Sequence, residues 1–232
     1  HLNPEYLRYF LASRLGSGVD DLDLNLEEFV NKINADLIGK VVNIASRCAG
    51  FITRGFDGML AAAPAAPELL AEAQAASAGI AEAFEQREYQ KAVREIMAVA
   101  DKANQYIAEQ QPWTLARQNP NDPQVQAICS TGINLFRLLM TWLKPVLPAM
   151  AAKAEVFLNA GPLSWQSAET LLVSHRINGF EALMTRVEQS AVDAMLAETA
   201  ALVQPVQTPA PAQVVDSPLS KEPVADEIEF PD

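Results

Sequence analysis

The sequence predicts an all-α fold, a helix bundle, on three observations. Apolar residues recur every three or four positions over several long stretches. Proline follows a small polar residue where such stretches begin, as in Asn3-Pro4 and Asp122-Pro123. Long apolar-polar alternation flanked by an Asn-Gly or Asp-Gly turn, the signature of hairpins, is missing. Half of the 232 residues are hydrophobic and a fifth are charged, so the chain can bury a sizeable core.

In chain order, Asn3 and Pro4 cap and start a helix expected to run to about Leu15, where Gly16 and Gly18 end it. After the acidic connector Asp20-Asp21-Leu22-Asp23, Asn25 starts a long helix with Glu28 at capping-box spacing. Leu26, Val30, Ile33, Leu37, Val41, Ile44, Cys48 and Ile52 form its apolar stripe, and Gly55 and Gly58 end it. Residues 59–84 are Ala-rich, with Pro64 and Pro67 turning the chain before a helix near Glu68. Residues 86–111 form an amphipathic helix with Tyr89, Val93, Ile96, Ala100, Ala103 and Ile107 inward, stopped by Pro112. From Pro123 a helix through Ile128, Ile133, Phe136, Leu139, Met140 and Leu143 has so little polar face that it is expected to be central. Pro145 and Pro148 separate it from a helix ending near Asn159; short pieces around Trp165, His175 and Phe180 precede a last helix from about Ser190 to Leu202.

Residues 203–232 hold six of the fifteen prolines, six acids and one lysine, the composition of a disordered, Pro/Ala-rich acidic tail. They carry −5 of the net charge of −12, leaving the preceding residues at −7. A generally basic nucleic-acid binder is therefore excluded, and DNA is not an expected partner. The most apolar stretch, from Ile133 to Met150, is broken by Arg137, Lys144, Pro145 and Pro148, short of the roughly 20 apolar residues a membrane span needs. The start, His1 followed by polar and charged residues, does not read as a signal peptide, and the missing initial Met suggests a piece of a longer protein.

Chemistry is sparse. Cys48 and Cys129 each stand alone in an apolar pattern, so neither a disulfide scaffold nor a metal site is expected. Only His1 and His175 could supply an imidazole base, and no nucleotide-binding or metalloprotease signature occurs. No catalytic residue is assigned.

Three features have both a bland and a functional reading. Asn43 and Arg47 lie one turn apart opposite the apolar stripe, with Lys40 close by. They are a solvated helix face, or an amide and guanidinium able to bond base edges together. Pro112-Trp113 sits where the chain is stopped and turned, with the indole either anchoring the turn or serving as a stacking platform for an unpaired base. Arg87, Lys91, Arg94 and Lys102 project into one sector of their helix, as ordinary surface or as a phosphate-tracking stripe.

The strings Asp21-Leu22-Asp23-Leu24-Asn25-Leu26-Glu27-Glu28-Phe29, Val41-Val42-Asn43-Ile44-Ala45-Ser46-Arg47, Pro112-Trp113, Ile128-Cys129 and Gly132-Ile133-Asn134-Leu135-Phe136-Arg137, in this order, resemble bacterial methionyl-tRNA synthetases. The resemblance covers essentially residues 1–202. It implies the helix bundle of the class I synthetase anticodon-binding type. The tryptophan matching Trp113 would stack on the first anticodon base, cytosine, held by the residue matching Pro112, while those matching Asn43 and Arg47 would recognise the first two bases. Lys40 and the stripe Arg87, Lys91, Arg94 and Lys102, read from charge placement alone, are the candidate RNA phosphate contacts beside them.

The same resemblance divides the chain. Residues 1–24 would be the tail of the catalytic half, 25–160 the anticodon-binding bundle, 161–202 a C-terminal helical extension, and 203–232 a linker towards an OB-fold module that dimerises many members. The H-I-G-H and K-M-S-K-S type motifs and the cysteine-bound zinc knuckle are absent from these residues. The chain alone should therefore not aminoacylate and needs no cofactor of its own, whereas the parent enzyme would use ATP with Mg and often a structural Zn held elsewhere. The implied partners are methionine tRNA, through its CAU anticodon, and the catalytic half, in the cytoplasm. Gly179 departs from the pattern, which has proline in the His-x-Ile-Asn-Pro-Phe segment. Two alternatives remain at this stage: the bundle of another class I synthetase, and a helical protein-interaction module.

Overall fold

The structure, a computed structural model, describes residues 2–19 and 21–202, and among these it is helical with no strand beyond one isolated bridge between Met59 and Arg176. In order the helices are α1 (Pro4–Ala12), α2 (Leu26–Ile33), a π-helical segment (Asn34–Val42), α3 (Asn43–Gly55), α4 (Pro67–Glu85), α5 (Tyr89–Gln110), α6 (Pro112–Gln118), α7 (Pro123–Leu143), α8 (Pro148–Leu158) and α9 (Gln189–Leu202), with a short 3-10 turn at Trp165–Glu169. The disordered-tail expectation for 203–232 lies outside the described residues.

Local chemistry accounts for most boundaries. The Asn3 side chain accepts from the Glu5 amide at 3.0 Å and that of Asp122 from the Gln124 amide at 2.9 Å, each with proline at the first helical position. α1 ends three residues earlier than expected, where the Ser13 hydroxyl donates to the Phe10 carbonyl. Asn25 caps α2 by accepting from the Glu28 amide, but Glu28 does not reach back as a capping box would. Its carboxylate instead takes Arg14, at 2.6 Å, which ties α2 to the end of α1.

The long helix from Asn25 to Gly55 is present but not uniform. Between Asn34 and Val42 its turns widen to the π pattern, which closes hydrogen bonds one residue later than an α-helix. Ile33, Leu37 and Val41, spaced by four, suit the wider turn and are fully buried, as are Ile44, Cys48 and Ile52 beyond it.

α7 is central: every residue from Ile128 to Leu143 is buried. A helix enclosed all round must find partners for its polar side chains. Ser130 and Thr131 accept from the amides of Ala61 and Ala65, Asn134 brackets Leu172 with one donated and one accepted bond, and Arg137 donates to the Thr170 carbonyl. These groups stitch the irregular stretches before α4 and after the 3-10 turn to the core. α3 approaches α7 so closely that a methyl on Gly132 would lie 2.6 Å from the Cys48 sulfur.

α1 is locked to the bundle by charge-assisted caps. α8 has no side chain of its own at its start, and Glu5 accepts there from the amides of Ala149 and Met150 at 2.6 and 2.9 Å. Arg8 donates to the carbonyls of Pro145 and Val146, and Tyr9 to the buried Asp36 carboxylate at 2.8 Å. Burial first, then that carboxylate, push the Tyr9 phenol well above its ordinary range, so it stays a donor.

Two outcomes follow for stability. Glu5→Ala strands the buried Met150 amide and the partly buried Ala149 amide and should lower unfolding free energy by about 1–3 kcal/mol, read as a fall in the urea midpoint. Gly132→Ala should cost about 1–3 kcal/mol through forced separation of α3 and α7, in the same assay; an unchanged midpoint would show that the Cys48 side chain simply turns aside.

Candidate nucleic-acid interface

The π segment and α3 run alongside α5 in the same direction, and a row of three contacts links them in register to α5 and, beyond its end, to α6. Lys40 pairs with Asp101 at 2.9 Å, with the buried Asp36 3.9 Å away. One turn on, the Asn43 amide donates to Asn104 at 3.0 Å. One further turn on, the Arg47 guanidinium lies over the Trp113 ring, 4.8 Å from its centroid. The spacing read from the sequence thus does place Asn43 and Arg47 on one face, and the fold brings Trp113 to it.

Trp113 reaches this position because of how α5 ends. Gln111 adopts the left-handed conformation, with φ 44° and ψ 56°, serving at once as the end of α5 and the entry to α6. Its amide closes on Ile107 while its carbonyl accepts from Thr114. Pro112, with no amide hydrogen to satisfy, is buried at the first position of α6. Trp113 follows it, partly buried against the core and capped by Arg47 on the outside. A guanidinium stacked on indole is worth about 0.5–1 kcal/mol at a partly exposed site, so it fixes both groups without holding them shut.

Arg47 has no hydrogen bond and no ion pair among the described residues, leaving its donors uncommitted. A cleft of about 380 Å³ continues the face toward α1, lined in part by Lys32, Asp36, Lys40, Arg94 and Asp101.

The basic stripe is not what the sequence suggested. Arg87 is not on α5 at all: it sits in the turn after α4 with φ 62°, because α5 begins only at Tyr89. Lys91 pairs with Glu88 at 3.4 Å and Lys102 with Glu72, so both face acids of their own protein. Arg94 is exposed and lines the cleft beside Lys40.

Two participants were missed from sequence, Asp101 and Asn104. Both lie on the margin of the α5 apolar stripe, where a polar residue next to Ala100 and Ala103 signals a flank that meets another helix. Beneath the face, Cys48 and Cys129 are buried free thiols. Contact with Cys48, then burial, push the Cys129 thiol far above its ordinary value, so it is an inert packing group. His175 is bonded to the Leu158 carbonyl at 2.8 Å, where it fastens the chain after the 3-10 turn to the end of α8. No helix of the described residues is long and apolar enough to cross a membrane.

Comparison with known proteins places the chain in a family. Residues 59–197 match the family model described as the anticodon binding domain of methionyl tRNA ligase, and residues 1–49 match that of class I tRNA synthetases of the methionine type. Among solved structures, the apo form of Mycobacterium tuberculosis methionyl-tRNA synthetase superposes with a TM-score of 0.69 at 22% identity, over 79% of this chain and 39% of that one. The same enzyme bound by methionyl-adenylate gives 0.69 and 22%, over 79% and 38%. The chain thus spans about two-fifths of the length of the synthetases it matches. With the family model covering more than half of its residues, the chain belongs to the methionyl-tRNA synthetase family and comprises its anticodon-binding domain.

Proposed function

We propose that this domain binds methionine tRNA by its anticodon loop and selects the sequence CAU, within an enzyme that ligates methionine to initiator and elongator tRNA using ATP. The observation that carries the reading is the Arg47–Trp113 stack beside Asn43, a flat aromatic next to the uncommitted donors of Arg47 and the free amide oxygen of Asn43 on one face.

The chemistry of unpaired RNA suits such a face. A loop base stacked on an aromatic side chain gains about 1–3 kcal/mol, and it exposes its pairing edge to neighbouring side chains. On this reading the first anticodon base, cytosine, stacks at Trp113, which Pro112 holds in place. Asn43 and Arg47 bond the edges of the first two bases. Arg47 leaves the indole face as the base arrives, exchanging a weak cation–π contact for charge-assisted bonds.

Phosphates would follow the cleft at Lys40 and Arg94. Lys40, Lys91 and Lys102 would have to exchange Asp101, Glu88 and Glu72 for phosphate, and Arg87 would reach it from the turn. Because the protein is acidic, phosphate attraction is local, and wrong RNAs meet net repulsion.

ATP, Mg and any structural Zn belong, on this reading, to the catalytic half, which with methionine tRNA is the domain's partner in the cytoplasm. Dimerisation would use a module beyond residue 232.

In the parent enzyme Trp113→Ala should reduce tRNA charging at least about tenfold, the loss of one stacked base, while methionine activation by ATP stays intact. An equal loss of both would assign the indole to folding. Arg47→Lys keeps the charge and loses the planar fork, so discrimination between CAU and altered anticodons should weaken. Unchanged discrimination would remove Arg47 from the site.

A further inference from the structure

The hydrogen bonds around Asn104 carry more than a contact. Its Nδ2 has two protons, and both are used: it donates to the Lys40 carbonyl at 3.1 Å and to the Ala100 carbonyl at 2.9 Å. Carbonyl oxygens only accept, so the Asn104 amide has one possible orientation. Turning it over would set its oxygen against both carbonyls. Its Oδ1 is therefore fixed toward α3, where it must meet a donor.

That donor is the Nδ2 of Asn43, at 3.0 Å. The orientation of Asn43 is thereby set as well, since the reverse would oppose two amide oxygens across the same gap. Its own Oδ1 points away from Asn104, and no donor among the described residues reaches it. One turn further, Arg47 offers only donors. The face thus presents a fixed acceptor beside a fork of donors.

We infer that Asn104 is a positioning residue: it locks the Asn43 amide with its oxygen outward, so that the site admits a base with an amino group at pyrimidine C4 or purine C6, beside the ring acceptor, and rejects one with a keto oxygen at that same position. Cytosine N4 and adenine N6 are amino groups there, whereas uracil O4 and guanine O6 place an acceptor. Against a keto base the Asn43 oxygen faces another acceptor, and the amide cannot rotate to correct the mismatch without breaking the Asn104 set. A hydrogen-bonding site discriminates most strongly when its polar groups are left unpaired by the wrong ligand. This rests on the anticodon reading and supplies its selection rule, because the two leading bases of CAU are both of the amino kind.

The test uses the 232-residue chain and two RNA hairpins that differ only in the first anticodon base, cytosine or uracil. The wild-type chain should bind the cytosine hairpin at least about tenfold more tightly, the discrimination of one well-made base contact. Asn104→Ala, and Asn104→Leu as a variant that keeps the volume, should bring this ratio close to one. The change should come from weaker binding of the cytosine hairpin, with the uracil hairpin bound no less well and the thermal midpoint almost unmoved. Equal weakening of both hairpins, or an intact ratio in both variants, would overturn the inference while leaving anticodon binding in place. No preference by the wild-type chain, together with no effect of Trp113→Ala, would instead overturn the anticodon reading itself and this inference with it.

Discussion

A helix enclosed on every side is the constraint from which the rest of this bundle follows. α7 can be central because most of its polar side chains are met from outside it, Ser130 and Thr131 by backbone of the stretch before α4, Asn134 and Arg137 by backbone at Leu172 and Thr170, and the Trp142 indole by the Ser77 hydroxyl of α4. Those bonds do two things at once. They spare α7 most of the cost of burying unpaired groups, with the Arg137 Nε left without a partner, and they fix loops that would otherwise have no reason to lie where they do.

The candidate interface is a consequence of that packing. α3 and α5 both rest on α7, with Gly132 letting α3 come close, so their outer flanks meet in register from Lys40 to Asn43. Gln111 then reverses the chain in a strained left-handed conformation and delivers Trp113 to the end of the row. Rigid helices hold the amide and guanidinium, while the indole sits at a turn. A base could therefore be gripped without rearranging the scaffold, with Arg47 as the one group required to move.

Much of this was legible in the sequence, for identifiable reasons. Helix starts at Pro4, Pro67, Pro123 and Pro148 follow from proline's missing amide, and the central place of α7 from its lack of a polar face. Asn43, Arg47 and Trp113 were found by helical spacing and by an aromatic at a chain stop. What sequence spacing does not encode is pairing between distant segments. The caps that Glu5 and Arg8 supply to α8 and α7 lie well over a hundred residues away in the chain, and nothing local to α1 announces them. Arg87 was misplaced because helix starts without a capping side chain, as at Tyr89, leave no mark. The widened turn at Asn34–Val42 has no local signature beyond the run of fourfold spacing. Asn104 was passed over because an amide on a helix flank reads as solvated until its partner helix is known.

The central claim, that an acidic protein reads an anticodon by placed contacts and not by charge, separates from its rivals in one experiment. Competition binding of the chain to a CAU anticodon hairpin, against hairpins with each anticodon base changed in turn, would be measured at moderate and raised salt. Stacking and edge bonding predict a preference for CAU that survives as salt weakens all binding together. Equal affinities for every hairpin, vanishing with salt, would contradict the account and leave only a phosphate-attracting surface.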